Sequence, residues 1–406
     1  MKKTLIALAA LGAMAGAAQA QSTVTLYGLL DANFGSFKTN VASGAGTAAS
    51  PASVQNLTQT KIDSGGLNGS RWGMRFSEDI GGGMAVIGNL ESGINLDAGS
   101  SAQGGLLFGR RANVGISSGF GTLVIGRNSS SYDDVSADHA MMGATIFDPS
   151  NTNNGPSTAT FTNVTAAAAT FAATPTAANA AALNLATANV GATFLGRNTT
   201  WVGFNTRFNN SVKYTSPNFG GFTGSVMYAF GEDKTATVGA SKTVSAYLKY
   251  ANGPLLISGG YQSEGSARSA TAKPALENTL LNVAYDFGVA KVGAGFNRAK
   301  YKEVGVGAGG APADLAAQSE WSLSVAVPLG ATTLSAGYAQ SKGDDLGKST
   351  GYGVQALYSL SKRTTLYAGA LSTKAYDKLA ASIQTAFPTS NIGRTTTYAA
   401  GIRHTF

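Results

Sequence analysis

Thr397-Tyr398-Ala399-Ala400-Gly401-Ile402-Arg403-His404-Thr405-Phe406 closes a sequence of 406 residues. Successive side chains of a β-strand point to opposite faces. Tyr398, Ile402 and Phe406 therefore share one face, which is apolar and aromatic, and His404 falls on it too. Thr397, Arg403 and Thr405 take the other face, which suits water. The stretch reads as a strand between a greasy side and a wet side.

The same alternation recurs inward along the chain. Trp72, Met74 and Phe76 share one parity, while Arg71, Gly73, Arg75 and Ser77 share the other. Phe208, Val212 and Tyr214 alternate with Arg207, Asn209, Ser211, Lys213 and Thr215. A soluble sandwich also alternates, but its polar face would not carry arginine and lysine on strand after strand. Strands are expected near 22–36, 69–80, 83–97, 106–117, 121–128, 205–216, 221–231, 242–252, 254–264, 275–287, 289–302, 319–329, 331–342, 350–360, 363–374 and 394–406. That is about 16, an even number as a single-chain membrane barrel requires. Tight turns such as Asp79-Ile80-Gly81-Gly82-Gly83, Asn252-Gly253-Pro254 and Pro328-Leu329-Gly330 join them on one side, and longer polar loops on the other. The pattern predicts an all-β fold: a transmembrane, antiparallel, up-and-down β-barrel.

Composition points the same way. Glycine is abundant at 53 residues and proline scarce at 10, which suits many strands and tight turns. Charged residues are only 12%, against about a quarter in soluble proteins, as expected of a surface that faces lipid. No stretch approaches the roughly 20 apolar residues of a membrane-spanning helix. Cysteine is absent, which removes thiol catalysis and Cys-ligated metals; the two histidines, His139 and His404, lie far apart. No catalytic residue, metal site or cofactor is expected, and no nucleic-acid partner. Lys2 and Lys3, the apolar run Leu5 to Ala18 and Ala18-Gln19-Ala20 read as a secretory signal peptide over residues 1–20. Residues 21–406 are then the barrel, in the outer membrane of a Gram-negative cell. A terminal aromatic strand behind such a leader resembles the signal read by the outer-membrane assembly machinery, with Tyr398, Ile402 and Phe406 as its face. Tyr and Phe at strand ends suit the water–lipid boundary.

One connection is long. Residues 128–204 hold no strand, and their middle, 157–193, is an Ala/Thr-rich insertion. A barrel of about 16 strands encloses an aqueous channel. This third extracellular loop, folded inward, would narrow it and bring Asp133, Asp134 and Asp138 towards the wall. Arg71 and Arg207 lie on water-facing parities. Strict alternation with Ala112, Val114 and Ile116 puts Arg111 in the lumen, and Arg110 would then need a bulge or a place at the rim. Arginines in a narrow pore favour anions, because low-dielectric walls focus fixed charge. They also have a purely structural use, pairing with lumen carboxylates such as Glu91.

Val24-Thr25-Leu26-Tyr27-Gly28 with Asp31, Ser70-Arg71-Trp72-Gly73, Arg110-Arg111-Ala112-Asn113-Val114-Gly115, Asn210-Ser211-Val212-Lys213-Tyr214 and the ending Gly401 to Phe406 resemble the general trimeric porins of β-proteobacteria, including the neisserial type. The resemblance runs in order over the whole mature chain. It implies a 16-stranded barrel, a homotrimer, an inward third loop, and a constriction with wall arginines at Arg71, Arg110 and Arg207 facing acidic groups. With the residue reading it gives a basic wall of Arg71, Arg110, Arg111 and Arg207 and an acidic side of Glu91, Asp133, Asp134 and Asp138. The expected function is passive diffusion of small anionic and neutral solutes; the alternative is a substrate-selective channel with a solute site on the long loop. Expected partners are other copies of the chain, outer-membrane lipid and lipopolysaccharide, and the assembly machinery.

Overall fold

The computed structural model describes residues 22–43, 53–150, 200–236, 238–266, 273–303, 305–306, 312–374, 376–378 and 394–406. The leader at 1–20 and the insertion at 157–193 lie outside the described residues.

The strands in chain order are β1 (Thr23–Ser43), β2 (Ser53–Ser64), β3 (Arg71–Gly81), β4 (Met84–Asn95), β5 (Ser100–Ser101), β6 (Arg111–Ser118), β7 (Gly121–Ser129), β8 (Arg207–Thr215), β9 (Phe222–Phe230) and β10 (Lys242–Asn252). They continue as β11 (Leu255–Gly265), β12 (Ala275–Asp286), β13 (Lys291–Lys302), β14 (Gly305–Val306), β15 (Pro312–Ala313), β16 (Gln318–Leu329), β17 (Thr332–Gly343), β18 (Gly347–Ser359), β19 (Thr364–Lys374) and β20 (Arg394–Thr405). All but β14 and β15 belong to one 18-stranded antiparallel sheet. β2 and β3 share one position in it, and β5 only folds back on the last two residues of β4, so sixteen strands go round the barrel. Pairing of β1 with β20, from Leu29 opposite Thr405 to Lys38 opposite Thr396, closes it.

Two differences from the sequence reading stand out. The first strand is taller than expected, and its upper part pairs with β2, a strand additional to those expected from the sequence. Between β2 and β3 the chain leaves the wall as Gly65 to Ser70 and tucks inward. There Asp31, fully buried, accepts hydrogen bonds from the backbone N–H groups of Gly66 (3.1 Å), Leu67 (2.8 Å) and Asn68 (2.8 Å) and from the Tyr367 hydroxyl. The second difference is at residues 106–110, which form a turn before β6 rather than its first half. Gly81, Gly82 and Gly83, all at positive φ, make the tight turn from β3 to β4, a conformation glycine adopts without strain.

Burial is inverted relative to a water-soluble sheet. Leu248, Leu281, Leu323, Val354 and Ile402 point outward and are exposed, whereas Ser245, Asn278, Asn282, Asn297 and Glu320 point inward and are buried. Burying a large aliphatic side chain is worth about 1.5–3 kcal/mol, a gain that every one of these outward side chains would forgo in water. In lipid the same face is solvated by hydrocarbon.

Candidate pore constriction

The third loop leaves β7 at Ser130 and runs down the inside of the wall. Two apolar clusters hold it. Tyr132, Trp201 and Phe204 pack with Leu280 and Ala339 of the wall. Met142 and Phe147 pack with Leu67 of the inward turn, Tyr367 and Ala399. Close approach is made possible by inward-facing glycines: a Cβ on Gly293 would lie 2.1 Å from the His139 carbonyl oxygen, and one on Gly353 1.8 Å from that of Phe147. The returning limb hangs on two buried acids of the wall. Glu320 accepts the Val202 N–H (2.6 Å), and Glu264 accepts the Asn205 N–H (2.9 Å) and side-chain amide (2.6 Å). The outgoing and returning limbs meet where the Thr200 N–H donates to the Pro149 carbonyl at 3.1 Å.

Opposite the loop lies the basic wall. Glu91 of β4 sits between two arginines, with Arg110 Nε 2.7 Å and Arg71 Nε 3.8 Å from its carboxylate oxygens. Tyr27 donates to Glu91 at 2.8 Å, and the Arg75 guanidinium lies 4.1 Å from the centre of the Tyr27 ring. The conflict between residues 110 and 111 resolves without a bulge. Arg110 precedes β6, so alternation does not bind it, and its guanidinium turns into the lumen; Arg111 begins β6 on the lumen parity, opposite Glu91. Both face the pore. The bulge lies elsewhere, where Asn209 and Asn210 interrupt the β7–β8 register and Asn210 takes φ 47°. The charges that act on Arg207 are those of Arg110, Asp133, Glu91 and Arg127, so it belongs to the same cluster.

The acids divide differently from the sequence expectation. Glu91 is not on the acidic side; it is embedded in the arginine wall. Asp134 pairs with Lys213 and Asp138 with Lys249 (2.9 Å), both lysines from the wall. Asp133 forms no ion pair within 4.0 Å among the described residues, and the charges around it are Arg207, Asp134, Lys213 and Arg111. Burial pushes its carboxyl up to about 6, with Arg207 pulling the other way. Seven cations (Arg71, Arg75, Arg110, Arg111, Arg207, Lys213 and Lys249) thus surround four carboxylates. Beside the loop a cavity of about 510 Å³ is lined by Arg75, Arg111, Lys213, Asn89, Asn113 and Asp134, among others.

Several of these roles were not foreseen. Lys249, Glu264 and Glu320 each sit on the inward parity of a strand, and that parity was their signal. The docking glycines were signalled by pairs two residues apart, Gly293 with Gly295 and Gly351 with Gly353. His139 is stacked on Trp201 at 5.0 Å, and its Nε2 lies 3.1 Å from Ser150 Oγ, which donates to Asp148 at 2.8 Å. Here serine, not histidine, stands in the middle, and all three side chains are buried. The arrangement clamps the loop and does not activate a hydroxyl.

The family profile described as Gram-negative porin matches residues 7–378. Outer membrane porin protein 32 of Delftia acidovorans is 34% identical over 304 residues, covering 74% of this chain and 71% of the relative. An outer membrane porin protein of Bordetella pertussis is 30% identical over 313 residues, covering 73% of this chain and 69% of the relative. The solved anion-selective porin from Comamonas acidovorans superposes with a TM-score of 0.65 at 24% identity, covering 95% of this chain and all of that one.

Proposed function

We propose that this chain, which belongs to the Gram-negative porin family and forms an outer-membrane diffusion channel, prefers anions and owes that preference to Arg71, Arg110, Arg111 and Arg207. One observation carries the reading. Glu91 is the only carboxylate bonded to that arginine wall among the described residues, while Asp134 and Asp138 are occupied by Lys213 and Lys249. The neck keeps an excess of positive charge. Guanidinium stays protonated at any workable pH, so the field is permanent. A passing anion exchanges part of its hydration for arginine contacts, and a cation is repelled before it enters. Transport is driven by the solute gradient, so the residues need only shape and charge. The likeness to a solved porin called anion-selective is in keeping with this reading.

The assembly is proposed to be a homotrimer. Support comes from the short strands β6 (8 residues) and β7 (9 residues), whose outward Val114, Ile116, Leu123 and Ile125 offer an apolar wall to another copy. Outer-leaflet lipopolysaccharide and the assembly machinery complete the proposed partners.

Planar-bilayer recording across a salt gradient tests the whole reading. Insertions should come in conductance steps of three, with a reversal potential on the anion side. R71Q and R207Q should each move that potential towards zero. A potential unchanged in both variants would remove the mechanism. The 510 Å³ cavity supports a second reading, a binding station for a small anionic solute. Conductance that saturates with one such solute, and not with chloride, would favour it.

A further inference from the structure

We propose that cations on the outside of the barrel, at the loop ends of β13 and β17 to β20, bind the phosphorylated headgroup of an outer-leaflet glycolipid of the lipopolysaccharide class. This rests on the outer-membrane channel reading above and adds the site.

Register places these side chains on one surface. Arg298, Ser319, Lys342 and Lys348 are consecutive cross-strand partners from β13 through β16 and β17 to β18. One step lower, Thr350, Lys374 and Arg394 are consecutive partners on β18, β19 and β20. All share the parity of Trp321, Tyr352 and Tyr398, which is the lipid-facing one, and the five cations are exposed. Lys342 stands directly opposite Lys348, and Lys374 directly opposite Arg394. Like charges directly opposite destabilise a sheet, so two such pairs side by side call for an anion between them. From Lys342 to Arg394 the patch crosses four neighbouring strands, about 15 Å at roughly 4.8 Å per strand. That width suits a headgroup bearing two phosphates.

Nearby groups do not neutralise it. Lys300 and Lys302, higher on β13, are paired with Asp314 (2.7 Å) and Glu277 (3.2 Å). Arg298, Lys342, Lys348, Lys374 and Arg394 have no carboxylate within 4.0 Å among the described residues. Asp377 accepts the Lys348 backbone N–H instead, and Asp345 that of Ala316. Beneath the cations lie aromatics: the Arg394 guanidinium is 5.7 Å from the centre of the Tyr352 ring, with the Trp321 and Tyr338 rings in tilted contact at 5.1 Å beside it. A cationic row above an aromatic row on a greasy wall marks the headgroup level of an anionic leaflet.

The test uses the full chain in detergent and titrates it with bisphosphorylated lipid A and with the same lipid stripped of both phosphates, in chelator to remove divalent cations. The wild type should bind the phosphorylated lipid and discriminate against the stripped one. K348Q/K374Q should bind it about 25-fold more weakly, about fivefold for each cation removed. Single-channel conductance of the variant should stay unchanged, because both lysines face away from the pore. Equal affinity in variant and wild type, or no discrimination between the two lipids, would overturn the site. So would loss of trimers in the variant with lipid binding intact, which would make the face a contact between copies. Failure of the channel itself is read separately, as wild-type protein that leaves bilayers impermeable.

Discussion

His139 and Asp148 are clamped to one hydroxyl, that of Ser150, and burial drives them in opposite senses. It holds the imidazole down at about 4, against an ordinary 6.5, and the carboxyl up at about 7, against 3.8. Between pH 4 and 6.5 the folded pair therefore carries one proton, on Asp148. The unfolded pair also carries one, on His139. Equal proton counts mean that the pair leaves stability flat in that window. Each single variant should expose a slope. In D148N only His139 remains, the unfolded state binds the extra proton, and stability should rise as pH goes from 4 to 6.5. In H139Q only Asp148 remains, the folded state holds the extra proton, and stability should fall as pH goes from 4 to 7. The slope is about 1.4 kcal/mol per pH unit at most. Melting of detergent-folded protein across this range reads both; slopes of the same sign would refute the account. Glu320 allows a plainer test. E320A leaves the buried Val202 N–H without its acceptor, a loss of about 1–3 kcal/mol. Protease nicking near residues 200–206 should rise in that variant, and brief closures of the open channel should become more frequent.

At the scale of elements, the two limbs of the third loop meet, since Pro149 and Thr200 are joined by a backbone hydrogen bond. Both limbs are fixed to the wall by contacts that do not involve the insertion: Met142 and Phe147 on one side, Glu264 and Glu320 on the other. Replacing residues 157–193 by a short Gly/Ser turn should leave folding and ion selectivity intact, which melting and reversal potentials would check. A chain that no longer folds would place the loop's anchors inside the insertion. Elements also mark where sequence reading fails. Strands such as β13 and β20 were legible because one face must be greasy and the other wet. β2 was not, because Thr58, Gln59 and Thr60 are all exposed and polar. Among the described residues, only at its lower end, where Ile62 stands exposed opposite Phe34, does β2 show an apolar side, and one residue is too little to encode a strand. Alternation also misplaced Arg110, which lies one residue before the strand that would have imposed it. The arginine wall was otherwise readable, and so was Glu91 as a carboxylate paired with it, but the fold decides between that place and the acidic side by setting Glu91 between Arg71 and Arg110.

The whole molecule depends on its seam. Phe406 and Gly28 exchange both backbone hydrogen bonds at 3.1 Å, and the Phe406 ring covers Gly28, where a Cβ would meet it at 2.2 Å. F406A should lower the yield of assembled, heat-modifiable barrels in the outer membrane, while the barrels that do form conduct normally. Unchanged yield would remove the assembly role assigned to Tyr398, Ile402 and Phe406. The seam also sets the order of events. Gly28 and Phe406 stand on strands far apart in the sequence, so the ring stays open, with two unpaired edges, until β20 has met β1. Contacts that span the entire length form slowly. For that interval the nascent protein is a sticky ribbon in transit, and the cell must either shield it from its siblings or lose it to aggregation.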